Sequence, residues 1–242
     1  MKRFLSYFIA IAAAFMFFYT ILFSFIQFSA NDSAWFEAEY YKLDTSRQIG
    51  MSNTDINKAM KALIDYMEGR TNDLEKVKVK INGDSVRMYN NKDIDHMKDV
   101  KVLYQNCRMF RNIAAVSLIV LLVAVFLTMK RDALIILSKS FIWAFSAMAV
   151  ILGAILIFAA IDFDAFWTFF HTLVFDNELW LIDPSKSYLI WICPSTLFYD
   201  IITRFLIYSG IVFVAFLGGA ITYLAVRRHN HNTPVLRKKG EK

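Results

Sequence analysis

The chain is 242 residues long, 57% hydrophobic and 16% aromatic, with 23 Phe and 3 Pro. A soluble domain of this length is excluded, because so much apolar side chain, gathered in blocks, exceeds what one core can cover. The net charge of +6 does not point to a nucleic-acid partner, since the excess Lys and Arg flank the apolar blocks.

The length of about 20 residues needed to cross a bilayer is met four times. The first transmembrane helix is predicted over residues 1–28, with its apolar block at Phe4–Phe28. That block outruns a signal-peptide core, and Gln27-Phe28-Ser29-Ala30-Asn31 is a poor cleavage site, so a retained anchor is expected. Residues 29–112 follow as an extracytoplasmic cap. Ser52-Asn53-Thr54-Asp55 opens a helix with polar cap candidates and an early acid. Ile56, Met60, Leu63, Ile64 and Met67 recur at helical spacing, and Gly69 suits the stop. Val77-Lys78-Val79-Lys80-Ile81 alternates with period two, and Asn82-Gly83 suits a type I′ turn before Val86, Met88 and Tyr89, which predicts a hairpin. Asp93 or Asp95 is then expected to cap a helix running through Leu103 into the second span, residues 113–129. The apolar face of the cap helix needs a partner: the hairpin, the membrane surface or the second outer segment.

The third span is predicted at 141–161, an interfacial helix and loop at 162–204, the fourth span at 205–226 and a basic tail at 227–242. Orientation follows Lys and Arg. Lys2 and Arg3, then Lys130 and Arg131, then Arg227, Arg228, Arg237, Lys238, Lys239 and Lys242 belong on the cytoplasmic side, which puts both termini inside. The cap carries 13 acidic and 13 basic residues between Ser29 and Arg108. Between Asp162 and Asp200, six acids face the single Lys186, a balance that attracts cationic groups such as ammonium. Ordinary loop solubility accounts for it about as well. The architecture expected is a mainly α membrane protein of four transmembrane helices, with a small α+β cap between spans one and two.

Four histidines are present. His229 and His231 lie in the basic tail. His96 and His171 each stand just outside a span, on the same predicted side of the bilayer, where two imidazoles suit proton transfer on a lipid. Asp93 and Asp99 share the helix face of His96 at i−3 and i+3, so they are expected to fix its tautomer and favour the imidazolium. His171 lies between Trp167 and Phe175 in an aromatic segment that reads as an interfacial helix. Taken singly, His96 is better explained by a solvated helix start and His171 by a half-wet interfacial ring; their pairing on one surface raises the functional reading. Asp183-Pro184 marks a turn, and Pro194 prevents one continuous helix before the fourth span. Cys107 and Cys193 both fall on the outside, where a disulfide could form, but each lies at the edge of an apolar segment, so buried free thiols are favoured; neither has a base beside it. Two separated histidines without an acidic cluster do not make a metal site, and no cofactor is called for.

His96-Met97-x-Asp99-Val100 behind a membrane-proximal domain, then His171-x-x-x-Phe175 followed by Asn177, Trp180, Pro184, Leu189-Ile190 and Pro194, resembles the lipoprotein intramolecular transacylase family of bacterial four-span membrane proteins. The resemblance covers nearly the whole chain. It departs from the family pattern where Ser187 stands for an Asp and Ser195 for a Glu. It implies a diacylglyceryl lipoprotein substrate, among membrane lipids, whose acyl chain moves from the second glycerol oxygen to the α-amine of the N-terminal Cys. Nucleophile and ester then share one molecule, so the enzyme's main task is to fold the substrate into a near-attack geometry. On that reading His96 is the base, Asp99 its orienter, and His171 protonates the leaving oxygen or holds the oxyanion. The reverse assignment is equally open to the sequence. Asn177, Trp180 and Asp183 are supporting or substrate-binding candidates, and the expected place is the outer leaflet of a bacterial cell membrane.

Two other classes remain. Another lipid-active enzyme using the His pair would turn over bulk phospholipid. A non-enzymatic receptor or scaffold would tolerate loss of both histidines. A transporter is disfavoured, because charges such as Lys139 and Arg204 sit near span ends and no intramembrane acid–base chain is visible. Oligomeric state is not legible in the chain.

Overall fold

The computed structural model describes residues 2–232. The tail residues Arg237, Lys238, Lys239 and Lys242 lie outside the described residues. Helix α1 (Lys2–Ala30) carries the first apolar block. Three helices follow: α2 (Ser33–Lys42), α3 (Thr45–Ile49) and α4 (Asn53–Met67). The hairpin is β1 (Lys78–Ile81) paired antiparallel with β2 (Asp84–Arg87). Next come α5 (Asn91–Met129), a 3₁₀ turn at Lys130–Asp132 and α6 (Ala133–Ile161). Helices α7 (Phe163–Val174), α8 (Leu189–Ile192) and α9 (Ser195–Asn232) complete the order.

The fold is mainly helical with one small sheet. Among the described residues, three helical stretches are long and apolar enough to cross a membrane: Arg3–Ala30, Asn91–Ile161 and Ser195–Asn230. The middle one holds two of the predicted blocks, parted by the 3₁₀ turn, where Lys130 takes a left-handed φ of 46°. Side chains such as Trp143, Val150 and Ile161 remain 73–79% exposed. Continuous apolar surface of that kind suits hydrocarbon rather than water.

The residues fall into two compact units. One is built from described residues 2–21, 113–153 and 209–232. Its interior is two small clusters, Ala10 with Val125, Ala133 and Ile136, and Ala14 with Phe18, Ala144 and Phe213. Phe18 meets Phe141 at 5.2 Å and Phe213 at 5.0 Å, while small Ala residues permit close helix approach. Asp132, the last residue of the 3₁₀ turn, accepts a hydrogen bond from Arg3 at 3.1 Å.

The other unit comprises residues 22–112 and 154–208 and holds the larger core. Helix α4 starts as the sequence predicts: Ser52 Oγ accepts from the Asp55 N–H at 3.1 Å. Its apolar face, with Ile56, Ala59 and Leu63 nearly fully buried, packs on the hairpin and α2, in one core with Val79, Ile81, Phe36 and Tyr40 that also takes in Leu189 and Ile192 of α8. Of the partners the sequence allowed, it thus takes the hairpin, together with α2, and shares its core with the second outer segment. The hairpin turn holds Asn82 at φ 52° and Gly83 at φ 94°, as a type I′ turn requires.

Three differences from the sequence reading stand out. Helices α2 and α3 fill a stretch read only as the start of the cap. Asp32 caps α2 by accepting from the Trp35 N–H at 3.1 Å, but the apolar contrast along this helix is too faint for a periodicity argument. The cap of α5 is Asn90, not Asp93 or Asp95. Asn90 Oδ1 accepts from the Asp93 N–H and Asp93 Oδ2 from the Asn90 N–H, both at 2.9 Å, a reciprocal capping box. Asp95 pairs instead with Lys98 at 2.6 Å. Finally, α9 begins at Ser195, right after Pro194, ten residues ahead of the predicted fourth span.

Candidate active site

His96 sits in the second turn of α5, and His171 in the last turn of α7. Both are 8% exposed. Their ring centroids lie 6.1 Å apart with planes inclined by 33°. Two segments 75 positions apart in the chain therefore bring their imidazoles to one spot. Helix α7 forms because Asp162 caps it, accepting from the Ala165 N–H at 2.9 Å, and because Phe163, Phe166, Trp167 and Phe170 give it an aromatic flank. It ends where Phe175 turns to extended backbone and donates to the His171 carbonyl.

Aromatic rings wall the pair. Phe175 meets His96 at 5.4 Å and His171 at 5.7 Å. Trp167 lies edge-on to His171 at 4.8 Å, and Trp180 covers it at 5.1 Å. Phe198 from α9 stacks on Trp167 at 4.4 Å. Such a wall excludes water and opposes charge on either ring.

The two histidines differ in their hydrogen bonds. His171 Nδ1 stands 2.7 Å from the Trp167 carbonyl oxygen. A carbonyl only accepts, so Nδ1 carries the proton and neutral His171 presents a bare Nε2 lone pair. His96 Nδ1 is buried without a hydrogen-bond partner. Burial, reinforced by the nearby His171, pushes the His96 pKa down to about 4, against the opposing pull of Asp99. Burial also lowers that of His171, with the Trp167 carbonyl working the other way. Both rings are thus neutral at physiological pH. The expectation that flanking carboxylates favour the imidazolium at His96 fails, because desolvation outweighs one partly exposed carboxylate.

Asp93 turns away from His96 and accepts from the Ser187 hydroxyl at 2.6 Å. Asp99 does not bond to His96 either; it accepts from Asn177 Nδ2 at 2.9 Å. Asn177 Oδ1 in turn accepts from the Leu179 N–H. Trp180 is brought to the pair. Asp183 is not: it is exposed, and its carboxylate is engaged within its own turn by Ser185 and Lys186. Cys107 and Cys193 are free and half-buried, and burial raises both thiols, Cys193 to about 12, so neither is an activated nucleophile.

The sequence reading missed the Trp167 carbonyl and the side chain of Lys92. The first is a backbone atom with no residue signature; only the i−4 spacing from His171 hints at it. Lys92 stands one turn before His96 and donates to the Leu181 carbonyl at 2.6 Å, which only the folded loop makes possible.

The family model described as lipoprotein intramolecular transacylase Lit matches residues 11–198. No curated protein sequence matches the chain. Among solved structures, the membrane integral lipoprotein intramolecular transacylase Lit from Bacillus cereus superposes with a TM-score of 0.64 at 16% identity, over 93% of this chain and 95% of that one. Two variants of that protein, each with a single histidine replaced, also match. The alanine variant gives 0.61 at 17% identity over 93% of each chain, and the arginine variant 0.56 at 18% over 93% and 91%. At such identities the structures speak for a common fold, and the family match over most of the length carries the assignment. The chain is a membrane protein that belongs to the lipoprotein intramolecular transacylase family.

Proposed function

We propose that this chain moves the acyl group from the sn-2 ester of a diacylglyceryl-cysteine lipoprotein to that lipoprotein's own N-terminal α-amine, giving the lyso-form. On this reading the chain crosses the membrane four times, the 3₁₀ turn at Lys130–Asp132 separating the second span from the third, with both termini in the cytoplasm and the histidine pair at the outer leaflet of the cell membrane. The basic flanks Arg3, Lys130, Arg131 and Arg227 support that orientation.

The geometry favours His171 as the base, the reverse of the order first taken from the sequence. An α-ammonium with a pKa near 8 supplies free amine at neutral pH by losing one proton to water. The amine nitrogen attacks the ester carbonyl carbon, and the carbonyl oxygen becomes an oxyanion. His171 Nε2 takes the second proton from nitrogen, while its own Nδ1–H stays anchored on Trp167. Neutral His96 donates an N–H to the oxyanion. The bond from the carbonyl carbon to the glyceryl oxygen breaks, and that oxygen receives the proton back from His171. One C–N bond replaces one C–O bond within one molecule, so no acyl-enzyme is needed.

A single observation carries this reading: two buried imidazoles from separate helices stand 6.1 Å apart, one with its tautomer set by a backbone carbonyl. The test is mass spectrometry of lipoprotein N-terminal peptides. The chain is expressed in a host that makes diacylglyceryl lipoproteins without N-acylation. The expected product has unchanged mass, and fragmentation places one acyl chain on nitrogen; His96→Ala and His171→Ala yield none. Release of fatty acid from bulk phospholipid, with lipoproteins unaltered, would replace this reading with that of a phospholipase.

A further inference from the structure

Between α7 and α8 the chain runs as a strap, residues 175–188, and four hydrogen bonds tie it to the start of α5. Asn90 Nδ2 donates to the Lys186 carbonyl at 2.9 Å, Lys92 Nζ to the Leu181 carbonyl at 2.6 Å, and Asn177 Nδ2 to Asp99 at 2.9 Å. These three are exposed, where water replaces a lost partner at little cost. The fourth is buried: Ser187 Oγ donates to Asp93 Oδ1 at 2.6 Å, with Asp93 0% and Ser187 4% exposed. A buried pair has no water to fall back on, so this bond is the anchor of the strap. Ser187 Oγ also accepts from the Leu189 N–H at 3.1 Å, which fixes where α8 begins. The same Asp93 closes the capping box of the helix that carries His96. Midway along the strap, Trp180 lies against His171.

We infer that Asp93 and Ser187 are positioning residues: their buried bond holds the strap down so that Trp180 keeps water off His171. Neither touches the reacting atoms; both act through Trp180. The inference rests on the base role given to His171 above, yet its effect on that ring can be read without turnover. The titratable and charged groups on the packed elements are Lys92, Asp93, Asp95, His96, Lys98, Asp99 and Lys101 at the start of α5, and Asp176, Glu178, Asp183 and Lys186 of the strap, all four of the last exposed. Ser187→Ala changes none of these charges. A shift in His171 titration in that variant therefore reports hydration. Because burial holds the ring below its ordinary pKa, loosening the cover moves it up.

The test uses the full chain in detergent micelles. Ring C–H signals are followed by NMR against pH, with His171 assigned by its loss in His171→Ala. Ser187→Ala is expected to raise the His171 midpoint by about 0.5 or more toward the free value of about 6.5, and to slow lipoprotein N-acylation on the order of tenfold. Ser187→Cys, which keeps a weak donor, falls between, and serves as the probe if the alanine variant does not fold. Asp93→Asn keeps one acceptor, enough for the Ser187 hydroxyl but not for the Asn90 N–H as well; with the hydroxyl held, it loses part of the α5 cap and retains the low His171 midpoint. An unchanged His171 midpoint in folded Ser187→Ala or Ser187→Cys overturns the inference. Absence of N-acylated product from the parent chain would defeat the proposed reaction instead, and the titration would still decide the strap.

Discussion

Replacement of water around His96 by Phe175 and the second imidazole makes a sharp prediction about pH. The folded-state pKa of about 4 compares with an ordinary value of 6.5. That difference is equivalent to about 3 kcal/mol at 1.36 kcal/mol per decade. The ring is 8% exposed, so solvent screening takes little from the figure. The sign follows from linkage. The unfolded chain binds a proton at His96 as pH falls through about 6.5, while the folded chain does so only near 4. Stability is therefore unaffected above about pH 7 and declines as pH drops through that window. NMR titration of the His96 ring should give a midpoint well below 5. Unfolding in mixed micelles should show the parent losing about 3 kcal/mol more than His96→Gln between pH 7 and 4. Asp99→Asn should lower the midpoint further, since its carboxylate is the one group pulling upward. A His96 midpoint at or above 6, or identical acid sensitivity in His96→Gln, would refute the claim that burial keeps this ring neutral.

Other outcomes follow from the same coordinates. His96→Ala and His171→Ala should each reduce N-acylation by roughly 10²–10⁴-fold, beyond what the cavity each leaves takes from stability; full activity in either variant would remove that residue from the reaction. Tyr40→Phe deletes a buried hydroxyl that donates to the Ile192 carbonyl at 2.8 Å, and should cost about 1 kcal/mol in unfolding measurements. Gly50 has φ +66°, and a Cβ there would run into the Asn82 side chain, whereas Gly83 at φ +94° has open space. Both alanine variants carry left-handed strain of about 1–2 kcal/mol, and Gly50→Ala should melt lower than Gly83→Ala because it alone adds a clash.

The apolar blocks, the α4 stripe and the Asn82-Gly83 turn were legible in the chain because each is a local or periodic signal. Hydrocarbon demands a run of apolar residues, a helix face repeats every three or four positions, and a type I′ turn needs two residues at positive φ. His96 and His171 could be singled out by scarcity and by position beside predicted spans. What they face is set by residues far away in sequence. Asp93 and Asp99 share the face of His96 in the chain, yet Ser187 and Asn177 claim their carboxylates. Asp183 looked like a site residue because of its acidic neighbourhood, and folding leaves it in a solvated turn.

The sequence alone determined that this is a membrane-embedded, mainly helical protein with a small sheet and two noteworthy histidines, since composition and short-range spacing suffice for that. Only the tertiary structure decided that the imidazoles meet, that both are neutral, and that His171 presents Nε2. Those properties depend on desolvation and on a backbone carbonyl at 2.7 Å, and burial exists only once distant segments have packed together.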